Sequence, residues 1–575
     1  MGGLMQQVGQ LWKSSGLDTL PESWPEIPPM IQKWAISRGY DNLESFQSFY
    51  QFKLKDLTDP MSLKDMDKAV DRLLQAYEKQ EKVCVYADFD MDGTPGLALL
   101  LRGLRLCGFQ KLTYFQPNRF EHGYGVHADI VQAFIEDKDV KLFVTVDVGI
   151  TDVEAVQRAK DLHVDFIVTD HHQVKEVRPP AVAIVNPNQP ECESGLEYLC
   201  GAGVAFYLVL ALRRKMKERN LLQQDFNPKA LLDCFAIATL TDMVPVVKDN
   251  RVLVQHGLVE LQKTSRKGLQ HLMKELRLSE EQLMAQDVSI RLSPKLNALG
   301  RMNSEVSAID LFLVDDEDKA FELVKEVLSS HEKRVSIQKE GEGIIEDFLK
   351  GQPGVFNHLF LFSEHFYKGV VGILATKILN RYGVPALVGT VKDNKIVGSA
   401  RAPDGMNVLA ALEASSGYLN SFGGHKQAAG FELNFDQATP FAQSLHSHFA
   451  QQGGAEDIGK ISYDFEGNLT ELNNDFLQWM KRLEPLGRGF DPPLMHFSNL
   501  FVASVRVLKE VHLKLVLKDI SGKSIDALWF FADDIAAMKK LTSKRVRVLA
   551  EPSRNTYKGN EKLQLMVRNL KVEAF

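Results

Sequence analysis

Five short β-rich runs alternate with helix-length amphipathic stretches between residues 83 and 186, and this alternation constrains the fold more than any other feature of the chain. The runs are VCVY (83–86), LTYF (112–115), LFVTV (142–146), DFIVT (165–169) and AVAIV (181–185). Between them GLALLLRGLRL, ADIVQAFIED and DVEAVQRAKDL carry apolar residues at helical spacing. Strand–helix–strand order predicts an α/β domain with a parallel sheet, because parallel neighbours need a crossover and the crossover helices cover both faces. In such sheets ligands collect beyond the carboxyl ends of the strands. The strand ends are therefore where chemistry is expected.

Those ends are acidic. The first strand runs into Asp88-Phe89-Asp90-Met91-Asp92-Gly93, the third into Asp147-Val148-Gly149 and the fourth into Asp170-His171-His172. Five aspartates and two histidines thus reach one sheet edge, and Asp242 follows the apolar stretch CFAIATLTDMVPV. Carboxylates packed this closely repel and raise one another's pKa, so the arrangement calls for cations. Oxygen and imidazole donors without thiolates suit magnesium or manganese better than structural zinc. Asp90 and Asp92, two residues apart in an extended segment, point the same way. Each could serve one of two metals about 3.5–4 Å apart, the spacing that clamps the attacking and leaving oxygens of a phosphoryl displacement. A calcium loop of the EF-hand kind is a poor reading, because the bidentate glutamate it needs falls at Leu99.

The rest of the chain reads as several further domains. Residues 202–278 are helical, and 318–350 read as one helix long enough to bridge two domains, about 50 Å. A second α/β module starts near Phe356 with HLFLF, GVVGILATKIL, PALVG and KIVGSA; 451–460 looks like a linker. From about 498 short strands and one helix, DDIAAMKKL, predict a small barrel of the kind that binds single strands. The chain carries a net charge of −7, yet residues 501–575 hold 15 Lys and Arg against 8 Asp and Glu. A basic tail domain on an acidic body is a local polyanion site. Trp529, Phe530 and Tyr557 are its stacking candidates, with Trp529, inside ALWFF, better read as core. Five scattered cysteines form no CxxC pair, and the first twenty residues do not read as a secretory signal. A reducing cytoplasm is the expected location, and no run approaches a membrane span.

Two further segments read as phosphate grips. Gly423-Gly424-His425 with Lys426 offers main-chain amides beside side-chain donors. Gly398-Ser399-Ala400-Arg401 puts a hydroxyl and a guanidinium on one side of a strand end.

Taken in order, ADFDMDG, VTVDVG, TDHH, TLTDMVP, RLSPKLNALGRM, GSARA and FGGHKQAAGF resemble the DHH phosphoesterase superfamily. Within it they resemble the bacterial RecJ family, over nearly the whole chain from about Leu57. The resemblance implies a metal-dependent 5′→3′ exonuclease that degrades single-stranded DNA to mononucleotides in repair and recombination, by two-metal-ion hydrolysis with Mn2+ or Mg2+. It implies that Asp90 binds one metal and Asp92 the other, that Asp147 bridges them, and that His171 and Asp242 complete the ligands of the second metal. Asp88 and His172 would place ligands or substrate, so that Asp88, His171 and His172 are the expected catalytic residues. Ser399, Arg401 and Arg301 would grip the 5′-terminal phosphate, with Arg119, Gly423, Gly424 and His425 as further substrate contacts. The implied domains are an N-terminal helical segment (1–75), a parallel-sheet DHH catalytic domain (76–315), a connecting helix (316–350), a substrate-binding α/β DHHA1 domain (351–455) and an OB-like barrel (456–575). Single-stranded DNA is the expected partner of a monomeric, non-membrane protein; a single-stranded-DNA-binding protein and a helicase are candidate partners. The chain departs from the pattern at Ala87, Met91, Thr94-Pro95-Gly96 and Val148. Tyr86 stands where related pyrophosphatases have a metal histidine, which leaves one metal with fewer protein ligands.

Overall fold

Strand β1 (Val83–Ala87), β2 (Leu112–Phe115), β3 (Leu142–Val146), β4 (Asp165–Thr169) and β5 (Ala183–Val185) form one sheet in the order β2-β1-β3-β4-β5, every pair parallel. Every residue of β1 and β3 is buried, which is why these strands read as continuous apolar runs. Helices Ala128–Lys138 and Val153–Asp161 cover one face through Val131, Phe134, Ala155 and Val156. Helices Gly93–Leu106, Gly201–Glu218, Leu232–Thr241 and Lys248–Gln262 build the layer beyond the other. The chain order reverses between β1 and β3, so their loops diverge and leave a crevice at the carboxyl ends. The acidic segments leave the sheet there.

This description comes from a computed structural model covering all residues except 1–11, 18–19, 21–22, 279–281, 351–355, 452–460, 531, 533–534, 558–559 and 574–575. The expected linker falls almost wholly outside the described residues, as does the start of DDIAAMKKL. The chain divides into two compact units. One contains Ser14–Asn297, Ser307–Val324 and Tyr463–Phe575; the other contains Ala298–Val306 and Lys325–Ser462. The helix expected over 318–350 spans Glu317–Leu349, 33 residues.

In the second of these units β6 (Leu359–Ser363), β7 (Ala386–Lys392), β8 (Lys395–Arg401), β9 (Ser421–Gly424) and β10 (Ala428–Asn434) pair in the order β9-β10-β8-β7-β6. Only β6 and β7 are parallel; the others are antiparallel. Helix Val371–Tyr382 packs one face through Leu374, Ala375 and Ile378. Val408–Ala414 and Ala438–Gln451 pack the other, around Phe431, Phe441 and Leu445. The segment FGGHKQAAGF is not a simple turn: it is the β9–β10 hairpin.

The C-terminal strands are β11 (Phe465–Glu466), β12 (Met495–Leu508), β13 (His512–Lys518), β14 (Ser524–Trp529), β15 (Arg545–Tyr557) and β16 (Asn560–Val572). They run β12-β13-β14-β16-β15, and β15 pairs back to β12, so the sheet closes into a barrel. Strands β14 and β16 are parallel and the rest of the ring is antiparallel. Three strands are longer than expected, 13 or 14 residues. Irregularities at Phe497/Leu500 and Val502/Ser504 bend β12, so that one strand serves two sides of the ring. Trp529 is 8% exposed and belongs to the core, whereas Phe530 is 47% exposed and meets His512 edge-on at 5.0 Å. Nothing is described for the Tyr557 side chain.

Among the described residues of the first 75, the helices pack into neighbouring bodies. Helices Pro29–Ser37 and Leu43–Gln51 bury Met30, Ile31, Trp34, Phe46 and Phe49 in one core with Phe476, Trp479, Phe490 and the barrel interior. The next helix, Met66–Glu78, runs through the expected boundary and belongs to the catalytic sheet. Its buried Arg72 pairs with Asp165 of β4 at 2.5 Å and with Glu81 at 2.7 Å.

Candidate metal centre and phosphate site

The strand-end residues converge. One oxygen or nitrogen from each of Asp88, Asp90 and Asp147 falls within 4.8 Å of the others, and the same holds for Asp92, His171 and Asp242 and for Asp147, His171 and His172. His171 Nε2 lies 3.2 Å from Asp147 Oδ1, 3.6 Å from Asp92 Oδ2 and 3.8 Å from Asp242 Oδ2. Oxygens or nitrogens sharing an ion at about 2.1 Å stand about 3 Å apart. Three overlapping donor sets are thus brought together, two of them sharing Asp147 and two sharing His171.

Local structure sets each donor. Asp90 Oδ1 accepts from the Asp92 and Gly93 amides at 2.8 and 3.1 Å, tying the loop to the start of helix Gly93–Leu106. Gly93 is required there, since a Cβ would come within 2.7 Å of the Asp88 carbonyl carbon. Asp92 sits at the N-terminus of helix Gly201–Glu218 and accepts from the Gly201 and Ala202 amides at 2.6 and 2.8 Å. Charge-assisted bonds to a helix N-terminus hold that carboxylate in one orientation. Asp147 leaves β3 with φ +63°, a left-handed conformation that a short polar side chain tolerates. A Cβ on Gly201 would come within 2.7 Å of Asp147 Cα and Oδ1. Asp242 follows the last residue of helix Leu232–Thr241 and is partly exposed.

Without cations this cluster is electrostatically unfavourable. Burial, then the charges of Asp92, Asp90 and Asp88, hold Asp147 far above the ordinary carboxylate range. Burial and Asp90 do the same to Asp88, burial raises Asp92, and burial with Asp92 and Asp90 pushes Asp242 up to about 8. Burial keeps His171 below its usual value, hence neutral and able to donate a lone pair. Asp88 Oδ1 and Asp147 Oδ1 are buried without a hydrogen-bond partner. The 3.2 Å approach of His171 to Asp147 is thus a juxtaposition of two donors rather than a bond between them. Orphaned carboxylate oxygens are costly unless a cation satisfies them. The donor set fits Mg2+ or Mn2+: oxygens and imidazole, with the nearby Cys200 thiol turned to Thr239 at 3.7 Å.

Asp170, the fifth aspartate of the edge, and several residues not foreseen complete the surroundings. Asp170 is fully buried and takes the His171 and His172 amides and His172 Nδ1, the last at 2.8 Å. Burial opposes charge on His172, but this bond and the surrounding carboxylates outweigh it and raise the imidazole to about 9. Asn186 Nδ2 donates to the His172 carbonyl at 2.9 Å, and Asn188 Nδ2 donates to that of His171. Gln116 Nε2 donates to the Asp88 carbonyl at 2.7 Å, and the Tyr124 hydroxyl lies 3.3 Å from His172 Nδ1. The asparagines were findable, since VNPNQ follows the fifth strand. The GAG at 201–203 carried the other signal, a glycine-rich helix start. Tyr86 points away from these roles: its hydroxyl donates to the Gly125 carbonyl at 3.2 Å and accepts the His127 amide at 3.3 Å. Met91 is buried. Arg119 lies over the Phe89 ring at 4.7 Å, beside the first aspartates.

In the other unit, Ser399 and Arg401 project from one side of β8, with Arg401 Nη1 donating to Ser399 Oγ at 2.7 Å. They face the N-terminus of helix Val371–Tyr382, where a Cβ on Gly372 would stand 3.2 Å from Arg401 Nη2 and 3.3 Å from Ser399 Oγ. Arg301 Nη1 donates weakly to the Gly369 carbonyl just before that helix, at 3.4 Å. A guanidinium and a hydroxyl at a helix start are groups that can bind an anion. Gly423 and Gly424 are exposed on β9. The hairpin turns at His425, whose amide donates to Ala428 at 2.8 Å, and Ala428 pairs with Arg401 in the sheet.

The comparisons agree in each part of the chain. The DHH family N-terminal domain matches residues 82–239, the DHHA1 domain 356–452 and the RecJ OB domain 463–569. The single-stranded-DNA-specific exonuclease RecJ of Haemophilus influenzae is 31% identical over 554 residues, covering 94% of this chain and 95% of the relative. That of Escherichia coli is 30% identical over 564 residues, covering 95% and 96%. The crystal structure of Thermus thermophilus RecJ in complex with Mn2+ superposes with a TM-score of 0.79 at 25% identity, over 98% of this chain and 80% of that one. With three-domain matches in register and full-length relatives at this identity, the chain belongs to the RecJ family.

Proposed function

We propose that this chain is a metal-dependent exonuclease that removes mononucleotides from the 5′ end of single-stranded DNA. The observation that carries the reading is the buried set of mutually repelling carboxylates, with two orphaned oxygens, at the topological switch of the parallel sheet. Asp88, Asp90 and Asp147 would hold one divalent ion; Asp92, His171 and Asp242 would hold the second, with Asp147 shared. Two Mn2+ or Mg2+ ions would supply Lewis acidity to the phosphate and a water acidic enough to attack at neutral pH. The protein's own groups fix the geometry. The amides of Gly201 and Ala202 orient Asp92, and Asp170 orients both histidines. His172, held by Asp170 at 2.8 Å, would stand beside the reacting phosphate.

Ser399, Arg401 and Arg301 at the helix start would take the 5′-terminal phosphate, with Arg119, Gly423, Gly424 and His425 guiding the strand. The barrel would hold the following nucleotides by charge and stacking. The work is divided as 1–75, 76–315, 316–350, 351–455 and 456–575, although the structure draws the first segment into its neighbours. The same reading makes the enzyme a cytoplasmic monomer of DNA repair and recombination, working beside a single-stranded-DNA-binding protein and a helicase. Among the described residues no helix is long and apolar enough to cross a membrane. Mononucleotide release from a long 5′-phosphorylated strand and from a dinucleotide, each with Mn2+, tests the substrate class. Preference for the long strand is expected; equal or better use of the dinucleotide contradicts it.

A further inference from the structure

The segment carrying Asp242 is held from outside the catalytic sheet. After helix Leu232–Thr241 the chain turns at Met243, a residue with an unbranched apolar side chain at φ +59°. Such a conformation persists only where the surroundings impose it. Here they are a turn at 486–490, between helix Asn474–Leu483 and β12. The Val246 amide donates to the Arg488 carbonyl at 2.7 Å, and Arg488 Nη1 donates to the Met243 carbonyl at 3.2 Å. Gly487 and Gly489 let the two loops touch: a Cβ on Gly487 would come within 2.8 Å of Val246, and one on Gly489 within 3.2 Å of Val247.

The turn is itself firmly anchored. Phe490 is fully buried among Trp34, Tyr40, Phe46 and Phe49, with ring centroids 4.3–6.3 Å apart. Downstream of Asp242, buried Arg251 donates to the Arg482 and Glu484 carbonyls at 3.1 and 3.0 Å and lies over the Phe49 ring at 4.6 Å. Asn250 Nδ2 donates to the Pro245 carbonyl at 3.0 Å and to that of Tyr198. The 242–247 loop and the first turn of helix Lys248–Gln262 are therefore both gripped by the barrel-side core.

We propose that the 486–490 turn, through Arg488, is a positioning element for Asp242, so that the Asp92–His171–Asp242 donor set is complete only with the barrel module docked. The proposal rests on the assignment of Asp242 to an ion in the preceding section. It makes the barrel a part of the catalytic centre as well as a handle for the strand. Arg488 is exposed, and it reaches Asp242 in two ways: through its bond to the Met243 carbonyl, and as a nearby positive charge that lowers the Asp242 pKa.

The test uses the full chain and compares Arg488→Ala, Arg488→Lys and, as a control on the same barrel, Arg568→Ala. Mn2+ is titrated calorimetrically into each, hydrogen exchange is followed at 242–247, and kcat and KM are measured on a 5′-phosphorylated strand against Mn2+ concentration. Arg488→Ala is expected to weaken the second Mn2+ by about tenfold, the scale of losing one charged hydrogen bond. It should speed exchange at Val246 and lower kcat at limiting Mn2+, with high Mn2+ restoring it and KM unchanged within about twofold. Arg488→Lys should recover part of each effect and Arg568→Ala should show none. A raised KM with an unaltered Mn2+ titration overturns the proposal and makes Arg488 a strand contact; so does a wild-type titration and exchange pattern. Asp242→Asn separates the two assignments: if it leaves Mn2+ binding unchanged, the ligand assignment fails whatever Arg488 does.

Discussion

Replacing Asp147 by asparagine separates a carboxylate kept for cations from one kept for the fold. Asp147 is 1% exposed, its Oδ1 has no hydrogen-bond partner, and Asp92, Asp90 and Asp88 all raise its pKa. At an effective dielectric of about 20, two unit charges about 4 Å apart repel by about 4 kcal/mol. Proton uptake relieves much of this in the metal-free protein, and an amide of the same shape removes the rest. Asparagine accepts φ +63° as readily as aspartate, so the backbone is not a confounder. The metal-free Asp147→Asn protein should therefore be more stable than metal-free wild type by about 1–3 kcal/mol. For domains of this size that is several degrees in Tm. Mn2+ at about 100 times its Kd should stabilise wild type by about 2.7 kcal/mol, and the variant far less. Thermal melts at pH 7 with EDTA and with Mn2+ read both effects, alongside a fall in exonuclease rate of at least about 10³-fold. A variant that melts below wild type in EDTA, yet gains as much from Mn2+, would refute the reasoning and make Asp147 structural.

Asp242, raised to about 8, and the more deeply buried carboxylates link metal-free stability to pH. Their folded pKa values lie above the unfolded ones, so this contribution is fully present below about pH 4 and is lost as pH rises towards about 8. Melts in EDTA should show that loss between about pH 5 and 8 for wild type, less of it for Asp242→Asn, and apparent Mn2+ affinity should rise about tenfold per pH unit for each proton displaced. Gly201→Ala would push Cβ into Asp147, costing about 1–3 kcal/mol by overpacking and about 10²-fold in rate by displacing a ligand, read by melts and the exonuclease assay. Arg401→Ala should reduce the preference for 5′-phosphorylated over 5′-hydroxyl ends by about 10–100-fold in kcat/KM; an unchanged ratio removes Arg401 from the phosphate site.

The catalytic sheet and its acidic edge were legible because the five strands are short, mostly apolar and β-branched runs and the acidic segments follow three of them directly. Asp88, Asp90, Asp92, Asp147 and His171 could be placed together from strand order alone. The supporting groups were not so visible. Gly201 and Ala202 reach Asp92 across 109 and 110 residues of chain, and nothing in a helix start says which carboxylate it will cap. The role of FGGHKQAAGF as a hairpin was hidden because β9 is exposed at every position and shows no alternation. The fate of the N-terminal helices was hidden for a different reason. Trp34, Phe46 and Phe49 mark buried faces, but only the fold shows that their partners are Trp479 and Phe490, from the far end of the chain. Periodicity identifies a face that must be buried and is silent about what buries it.

The most direct measurement follows a single-stranded DNA carrying a 5′ phosphate and a label at either its 5′ or its 3′ end, with Mn2+ and with EDTA. Two-ion hydrolysis from the 5′ end predicts that the 5′ label appears as mononucleotide from the earliest time point, while the 3′-labelled strand shortens progressively. It predicts no cleavage in EDTA or by Asp147→Asn. Release of the 3′ label first, internal cuts, or undiminished cleavage in EDTA would contradict it.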